Sequence, residues 1–401
     1  MKRVLLAYSG GLDTSFLVAY LTREMNCEVT AVCVDCGGFR EGEREEICER
    51  AIALGAKAAR IEDGRQQLYT QVLRWLIAGN VKRGEVYPLS VGAERGVQAQ
   101  QLALLARAEN FDALAHGCTA AGNDQVRFEA ALAVVAPDLE TMAPVRDMGW
   151  ARADQVAWLK AQGLAAPPAG GRYSTNAGLW GLTIGGGEML TAGEPLPEDA
   201  WVWTLNGGGE SHLSIQFDNG QPVGMDGVSM DPVALIEKLN EIGGALGVGR
   251  GYHLGDTVLG IKGRIAFEAP AAEMLIMAHR ELEKLVLTED QRFWKDHLGN
   301  VYGRRLHQGL LHDPFMRDTE AFLGSSQRAV EGTVHMHLVG GRVIVTGLES
   351  SHSMLTASDA AYGEKAAAGS DPAGPAFLGR ILAEPARLSN VAAQRAAETH
   401  S

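Results

Sequence analysis

The sequence predicts an α/β fold, in which a parallel sheet with helices on both faces precedes a second, α+β domain. Strand-like and helix-like patterns alternate over the first third of the chain, which is typical of a parallel sheet. Glycine-rich turns and alternating strand patterns dominate after residue 170. The 401 residues, 46% of them hydrophobic and 21% charged, suffice for two domains with separate cores.

The elements of the first domain follow from their residue types. Short apolar runs rich in β-branched residues predict strands, and amphipathic stretches predict helices. The helix over 41–54, for example, is followed by Gly55, the residue type that most often terminates a helix. The predicted strands are 4–8, 29–34, 56–61, 112–116 and 140–143. Besides the helix after the first strand, the predicted helices are 41–54, 65–78 and 94–109.

An alanine-, proline- and glycine-rich stretch at 165–171 predicts a domain boundary. In the second domain a strand is predicted over 214–217, and two helices follow. The first begins at the capping residue Asp231 with Pro232 in its first turn, and we expect Gly243 to end it. The second is predicted over 268–287. The predicted domains are 1–165, 166–370 and a C-terminal helical tail at 371–401.

Charge and cysteine content limit the partners and the compartment. The net charge of −13 argues against a nucleic-acid partner. We also expect no membrane partner, because no stretch approaches the ~20 apolar residues of a membrane span, and the apolar run at 4–8 is too short for a signal peptide. The five cysteines form no disulfide framework, which predicts reduced thiols in a cytoplasmic protein. Cys33 and Cys36 have the spacing of a redox or zinc pair, but we interpret them as small buried residues at a strand end.

The loop at 9–15, Ser-Gly-Gly-Leu-Asp-Thr-Ser, connects the first strand to a helix and has the features of an anion site. Gly10 and Gly11 lack the Cβ atoms that would keep an anion from the backbone, and the first helical turn offers unpaired N–H groups. Asp13 either caps the helix or binds magnesium. The spacing is neither that of a Walker A motif nor that of a dinucleotide fingerprint. Hydroxyl donors come from Ser9, Thr14 and Ser15.

A second motif, at 116–129, follows another predicted strand and leads into a helix. This order places it at the carboxyl edge of the sheet, where open α/β folds bind ligands. Gly117 allows a ligand close to the backbone. Thr119, Asn123 and Asp124 suit the ammonium and carboxylate of an amino acid, and Arg127 suits a second anion or a carbonyl oxygen. The alternative is an ordinary capped helix start.

Both motifs resemble those of a known family. The loop at 9–15 resembles the pyrophosphate loop, S-G-G-x-D-S/T-S, of the ATP pyrophosphatase superfamily. The run H-G-x-T-x-x-G-N-D-Q-V-R-F-E at 116–129 resembles a signature of argininosuccinate synthetases, and the likeness extends from residue 1 to about residue 381. It implies an N-terminal domain like the adenine nucleotide alpha-hydrolases, a C-terminal synthetase and oligomerisation domain, and a homotetramer.

The resemblance also implies a reaction and a set of contacts. Citrulline and aspartate would be ligated to argininosuccinate through citrullyl-AMP, with Mg²⁺ and ATP consumed to AMP and pyrophosphate. Asp13 is the candidate magnesium ligand. The implied ATP contacts are Ala7, Tyr8, Ser9, Gly10, Gly11, Leu12, Asp13, Thr14, Ser15, Val34 and Gly117. The implied aspartate contacts are Thr119, Asn123 and Asp124, and the implied citrulline contacts are Tyr87, Asn123, Arg127, Ser174 and Thr183.

Three departures from the family pattern fall on the citrulline side. Gly92 stands where the family has a serine, Gly255 where it has a glutamate and Phe267 where it has a tyrosine. Asp256 would restore the charge if the loop shifted by one residue. The acceptor therefore stays open between citrulline and, in a paralogous aspartate ligase, another ureido or carboxyl compound. A catalytically silent nucleotide-binding regulator is the alternative from a different class.

Overall fold

The computed structural model describes residues 1–120, 122–167, 171–204, 208–371 and 373–398. The chain forms two compact units, Met1–His352 and Ser353–Ser401. The domain boundary after residue 165 stays a prediction, and residues 168–170 of the stretch that predicts it lie outside the described residues. In the described part of the chain, every helix is too short or too polar to cross a membrane.

A parallel sheet of five strands begins the first unit. Its strands are β1 Arg3–Ala7, β2 Glu28–Asp35, β3 Ala58–Asp63, β4 Ala113–His116 and β5 Glu140–Met142. The order across the sheet is β3-β2-β1-β4-β5, with Ala7 of β1 beside His116 of β4. The strand order therefore reverses between β1 and β4, the point at which such sheets bind ligands. The loops that follow these two strands carry the two motifs found in the sequence.

Helices cover both faces of this sheet, as predicted. They are α1 Leu12–Arg23, α2 Glu43–Ala53, α3 Arg65–Leu68, α4 Arg74–Ala78, α5 Arg95–Ala108, α6 Asp124–Val135, α7 Pro144–Asp147 and α8 Arg152–Ala161. Alternate residues of β1 belong to different cores: Val4 packs in one cluster with Phe16 of α1, and Leu5 in another with Val97 of α5. The helix predicted over 65–78 is interrupted, because a π-helical turn at Tyr69–Leu73 joins α3 to α4.

The rest of the first unit combines two antiparallel sheets with helices, which is the predicted α+β arrangement. The sheet orders are β10-β9-β8-β13-β14 and β11-β12-β7-β6. The strands are β6 Tyr173–Gly178, β7 Gly181–Gly186, β8 Glu210–Asp218, β9 Gln221–Met225, β10 Val228–Ser229, β11 Arg250–Asp256, β12 Lys262–Glu268, β13 Gly332–Val339 and β14 Arg342–Glu349. The helices are α9 Pro232–Ala245, α10 Pro270–Val286, α11 Glu289–His307 and α12 Pro314–Ser326, with 3₁₀ turns at Gly187–Leu190, Glu198–Ala200 and Gln327–Ala329.

The prediction that Gly243 ends a helix is wrong, because α9 continues to Ala245. Its glycines serve packing instead. A Cβ at Gly243 would lie 2.8 Å from Met274 Cε, and one at Gly244 would lie 2.7 Å from the carbonyl oxygen of Trp203. These positions therefore bring α9 close to its neighbours, and α10 in particular packs against it.

The start of the helix predicted over 268–287 is also wrong. Glu268 is the last residue of β12, and α10 begins at Pro270. The buried carboxylate of Glu268 accepts hydrogen bonds from the N–H groups of Trp203, at 2.9 Å, and Thr204, at 2.6 Å. These tertiary bonds, which the local sequence does not reveal, hold Glu268 in the strand.

The second unit contains one long helix, α13 Gly374–Glu398, in the predicted tail. Its large apolar side chains are mostly exposed; they include Phe377, Leu378, Ile381, Leu382 and Leu388. The role of this tail in subunit contact stays a prediction.

Candidate active site

The loop between β1 and α1 is shaped by its backbone. Gly10 has a φ of 73°, and a Cβ there would lie 2.9 Å from Ile47 Cγ1, so only glycine fits. Its carbonyl oxygen accepts a hydrogen bond of 2.7 Å from Arg50 Nη1. Gly11 is the N-cap of α1, and within the described chain no side chain caps it. The N–H groups of the first turn are therefore left for a ligand.

The hydroxyl groups of the loop fall into two sets. Ser9 Oγ and Thr14 Oγ1 lie 3.2 Å apart at the mouth of the loop. Ser15 is fully buried, with its Oγ 3.2 Å from Tyr8 Oη. Ser9 and Thr14 thus line the cleft described below, whereas Ser15 is buried behind the loop.

Asp13 lies in the first turn of α1 and is not its cap, since Gly11 has that position. Gln155, a fully buried residue of α8, donates a hydrogen bond of 2.8 Å from Nε2 to Asp13 Oδ1. This bond fixes one carboxylate oxygen and leaves Oδ2 for a cation. Asp13 is therefore not the cap of the helix, and its role in binding magnesium stays a prediction.

The two motif loops meet at a cleft of ≈ 450 Å³. A Cβ at Gly117 would lie 2.9 Å from Thr14 Cγ2 and 3.2 Å from the Thr14 backbone nitrogen, so the loops are in close contact. The predicted contacts that line this cleft are Ala7, Tyr8, Ser9, Gly11, Asp13, Thr14, Val34, Gly117, Thr119, Asp124 and Ser174. Gly10, Leu12 and Ser15 lie behind the loop, where they shape it rather than line the cleft.

A second pocket of ≈ 190 Å³ adjoins the cleft. Three residues line both spaces: Arg95, Asp124 and Asn176. The second pocket collects the predicted contacts Tyr87, Asn123, Arg127 and Thr183, together with Arg83, Gly92, His253, Gly255, Asp256 and His307. Ser174, which the resemblance assigns to citrulline, lines the cleft and not this pocket.

Asp124 joins two arginines at the boundary between the cleft and the second pocket. Its Oδ2 accepts a hydrogen bond of 3.0 Å from Arg95 Nε, and its Oδ1 accepts one of 2.8 Å from Arg127 Nη1. Burial acts to raise the pKa of Asp124, but the charges of the two guanidinium groups outweigh it and hold the pKa below its ordinary value. The carboxylate is therefore ionised and holds both arginines in place.

His307, the last residue of α11, contacts Arg127, which also binds Asp124, and it contacts Arg83 as well. Its carbonyl oxygen accepts a hydrogen bond of 3.0 Å from Arg127 Nε. Its Nδ1 lies 3.1 Å from Arg127 Nη2 and 3.3 Å from Arg83 Nη1. Burial, with these two cations, lowers the pKa of His307 to about 3, so the ring is neutral. Because guanidinium groups only donate, Nδ1 is the accepting nitrogen.

The departures from the family pattern alter the second pocket in different ways. A Cβ at Gly92 would lie 3.4 Å from Arg127 Nη2. A Cβ at Gly255 would overlap the imidazole of His253, which fills that space. Phe267 is buried in the core, and its ring centroid is 5.3 Å from that of Tyr87. The suggested replacement carboxylate, Asp256, lines the pocket.

Asp256 is already engaged, since its Oδ1 lies 2.5 Å from Lys262 Nζ. This ion pair lowers the pKa of Asp256 through the hydrogen bond and the charge of Lys262. Both side chains of this pair are exposed, by 60% for Asp256 and 69% for Lys262, so the pair is weak and does not prevent Asp256 from taking the place of the missing glutamate.

The two cysteines with redox or zinc spacing are both buried. Cys33 and Cys36 are buried and unbonded to each other, and burial raises the pKa of the Cys33 thiol to about 12. Among the described residues, no group of three or more His, Cys, Asp or Glu side chains is arranged to hold a metal ion. This agrees with the interpretation of both cysteines as small buried residues.

Several residues of the site were not predicted from the sequence: Arg83, Gln155, Asn176, His253 and His307. Gln155 and His307 reach the site from elements distant in the chain, whereas Arg83, Asn176 and His253 lie within four positions of Tyr87, Ser174 and Gly255. His307, for instance, is 180 positions from Arg127, and no local pattern marks it. Only the tertiary fold brings these side chains together.

Comparison with known proteins gives a consistent result. The family models named Arginosuccinate synthase N-terminal HUP domain and Arginosuccinate synthase C-terminal domain match residues 3–165 and 173–374. The argininosuccinate synthase of Methanocaldococcus jannaschii is 37% identical over 369 residues, which cover 91% of this chain and 93% of the relative. That of Dictyoglomus turgidum is 36% identical over 364 residues, covering 90% and 91%.

Together the two models span the two motif loops and the second pocket. Together the models account for most of the chain, and the relatives align along nine-tenths of it. The chain belongs to the argininosuccinate synthase family.

Proposed function

We propose that the protein ligates citrulline and aspartate to argininosuccinate, with cleavage of ATP to AMP and pyrophosphate. The observation that carries the proposal is the junction of two spaces, an anion-binding cleft and a smaller polar pocket, at Arg95, Asp124 and Asn176. A reaction that joins an activated acceptor to an amine needs such a junction. The acceptor must reach the nucleotide to form the adenylated intermediate, and the aspartate amine must then reach that intermediate.

In this proposal the cleft holds ATP. The free N–H groups at the start of α1, with Ser9 and Thr14, bind the β- and γ-phosphates that leave as pyrophosphate. Val34 lies at the adenine, and the close approach at Gly117 brings the backbone to the nucleotide. Asp13, held by Gln155, would supply a ligand for a magnesium ion, whose charge would offset that of the phosphates.

Aspartate is proposed to bind beside the nucleotide through Thr119, Asn123 and Asp124. Asn123 Oδ1 accepts a hydrogen bond of 2.8 Å from the Val258 N–H, which directs its amide NH₂ to a carboxylate. The ionised carboxylate of Asp124 retains lone pairs for an ammonium group. These contacts orient the aspartate amine for attack.

The acceptor is proposed to occupy the second pocket, with Tyr87, Arg127 and Thr183 as contacts and Ser174 approaching from the cleft. The ureido oxygen attacks the α-phosphorus, and the bond to the departing pyrophosphate breaks. The aspartate amine then attacks the ureido carbon and AMP leaves. The protein's main contribution is to position the reactants and to neutralise phosphate charge.

We further propose that the enzyme is a cytoplasmic homotetramer that acts on small molecules and not on nucleic acid. Its five free cysteines suit a reducing compartment. The exposed apolar side chains of α13 suit contact with another copy of the chain.

The test is pyrophosphate release from Mg-ATP in the presence of aspartate, with and without citrulline. We expect citrulline-dependent release with argininosuccinate and AMP as products. ATP binding without turnover for any ureido or carboxyl acceptor would contradict the proposal and favour a regulator. Turnover with another acceptor but not with citrulline would favour a paralogous ligase.

A further inference from the structure

A third pocket lies between α10, α11 and the end of α4, apart from the cleft and the second pocket. Its volume is ≈ 230 Å³, and the described residues that line it are different from those that line the other two spaces. Asn80, which is buried, forms part of its wall. The reaction proposed above gives this pocket no role.

Two arginines of the third pocket lack a charged partner. Arg280 of α10 and Arg292 of α11 form no ion pair within the described chain, and the Nε of each is buried without a hydrogen-bond partner there. Arg280 Nη2 donates a hydrogen bond of 3.5 Å to the carbonyl oxygen of Asn80, which is a neutral acceptor. Because a buried charged donor without an acceptor is costly, both guanidinium groups are suited to bind an anion.

Two carboxylates of the same pocket share one lysine. Lys295 is fully buried, and its Nζ lies 2.6 Å from Glu283 Oε2 and 2.9 Å from Asp296 Oδ1. Glu283 is buried and also accepts a hydrogen bond of 2.6 Å from Asn80 Nδ2. The side chain of Asp296 is 46% exposed, and its Oδ2 accepts no hydrogen bond from the described residues. One negative charge is therefore left over, and Asp296 is the carboxylate that a ligand can reach.

The other charged side chains that line the pocket do not cancel these charges. Lys284 pairs with Glu281, at 2.5 Å. Glu85 is exposed, has no ion pair within the described chain and adds to the negative charge. The pocket thus presents unpaired groups of both signs. A simple anion or a simple cation would be repelled there by the groups that carry its own sign.

Asn80 brings the two kinds of charge close together. Its carbonyl oxygen is the acceptor for Arg280 Nη2, and its Nδ2 lies 3.4 Å from Asp296 Oδ1. Arg280 and Asp296 therefore contact the same residue, yet no ion pair joins them in the described chain. A zwitterion whose carboxylate and ammonium groups are attached to one carbon can contact both side chains at once.

We propose that the third pocket binds a free α-amino acid as its zwitterion. Arg280 and Arg292 bind the carboxylate, and Asp296 binds the ammonium group, each through charge-assisted hydrogen bonds. The proposal does not depend on the proposed function, because the third pocket shares no described lining residue with the cleft or the second pocket.

The experiment measures calorimetric binding of three compounds with the same carbon chain to the full-length protein. They are L-norvaline, pentanoate, which lacks the ammonium group, and L-norvalinamide, which lacks the carboxylate. We expect norvaline to bind about 10- to 100-fold more tightly than either analogue. Absence of saturable norvaline binding up to about 10 mM, or equal binding of norvaline and one analogue, would overturn the proposal.

Two variants test the two contacts separately. We expect Arg280→Gln to weaken norvaline and pentanoate binding by about tenfold or more and to leave norvalinamide unchanged. Asp296→Asn, which leaves Lys295 its partner Glu283, should weaken norvaline and norvalinamide and spare pentanoate. Arg328→Gln, on an exposed arginine, is the matched control. An equal loss with all three compounds in both variants would indicate a structural effect and overturn the proposal.

Arg292→Gln keeps the test decisive if either variant unfolds, because Arg292 has no described side-chain hydrogen bond to lose. It should act as Arg280→Gln does, at an unchanged Tm. Asp124→Asn separates the third pocket from the proposed aspartate site, and we expect it to leave norvaline binding unchanged. Norvaline binding that is lost in Asp124→Asn and kept in Arg280→Gln would place the compound in the aspartate site and overturn the proposal.

Discussion

The cleft and the second pocket are built by different means. The loop at one end of the cleft is shaped by backbone: a glycine with positive φ, the free N–H groups of α1, and a close approach of Gly117 to Thr14. The second pocket is made of side chains from separate elements, among them Arg83, Arg127 and His307. A substitution that disturbs the backbone of the loop distorts the whole anion site, whereas a substitution in the second pocket alters one side chain and leaves the others in place. The cleft is therefore expected to fix the phosphate chemistry, and the pocket to set the choice of acceptor.

The largest effect is expected from Gly117→Ala, which distorts the cleft and leaves the second pocket unchanged. The new Cβ would lie 3.2 Å from the Thr14 backbone nitrogen, so the two loops must separate. We expect kcat/KM for ATP to fall about 100-fold, since small displacements of reacting groups have effects of this size. The relative preference among acceptors should stay the same.

Gly193→Ala is the matched control, because a Cβ at this glycine has no described neighbour within 4 Å. Steady-state kinetics with two acceptors measures both kcat/KM for ATP and the relative preference between the acceptors. A changed acceptor preference in Gly117→Ala would show that the cleft and the pocket are not separable.

Asp124→Asn acts at the boundary and should affect both spaces, although unequally. The neutral amide weakens the hold on Arg95 and Arg127 and removes the charge proposed to bind the aspartate ammonium. We expect argininosuccinate formation to fall about 100-fold and acceptor-dependent pyrophosphate release about 10-fold. Rapid-quench measurement of both half-reactions tests this, with Asp218→Asn as an exposed control. Equal losses would remove Asp124 from the aspartate site.

The smallest effect is expected from Glu94→Gln, at the residue before Arg95. Burial raises the pKa of Glu94 from its ordinary value of 4.5 to about 8. The native state therefore favours the protonated acid, and the stability from that protonation is complete below pH ~4.5 and is lost as the pH rises through ~8. Between pH 5 and 8, we expect the Tm of the wild type to fall about 2–4 °C more than that of the variant. Parallel Tm curves would contradict this assignment.

The contrast between loops that are continuous in the chain and side chains that come from separate elements explains how much could be predicted from the sequence. The loop at 9–15 and the motif at 116–129 are continuous in the chain, and the parallel sheet brings them together by its strand order. Gln155 and His307 were missed because their roles depend on tertiary contacts with Asp13 and Arg127. Glu268 was misplaced for the same reason, because its partners at 202–204 are set by the fold.

The overlap between a Cβ at Gly255 and the ring of His253 has a consequence for mutational order. A side chain at 255 requires the imidazole to leave that space, where it stacks on Tyr87, so we expect single substitutions there to score as damaging. Shortening residue 253 first opens the position, and the two changes are therefore strongly non-additive. Libraries that aim to alter acceptor choice should vary positions 253 and 255 as a pair. Scanning one position at a time would reject each single variant at 255 and so never test the double variants.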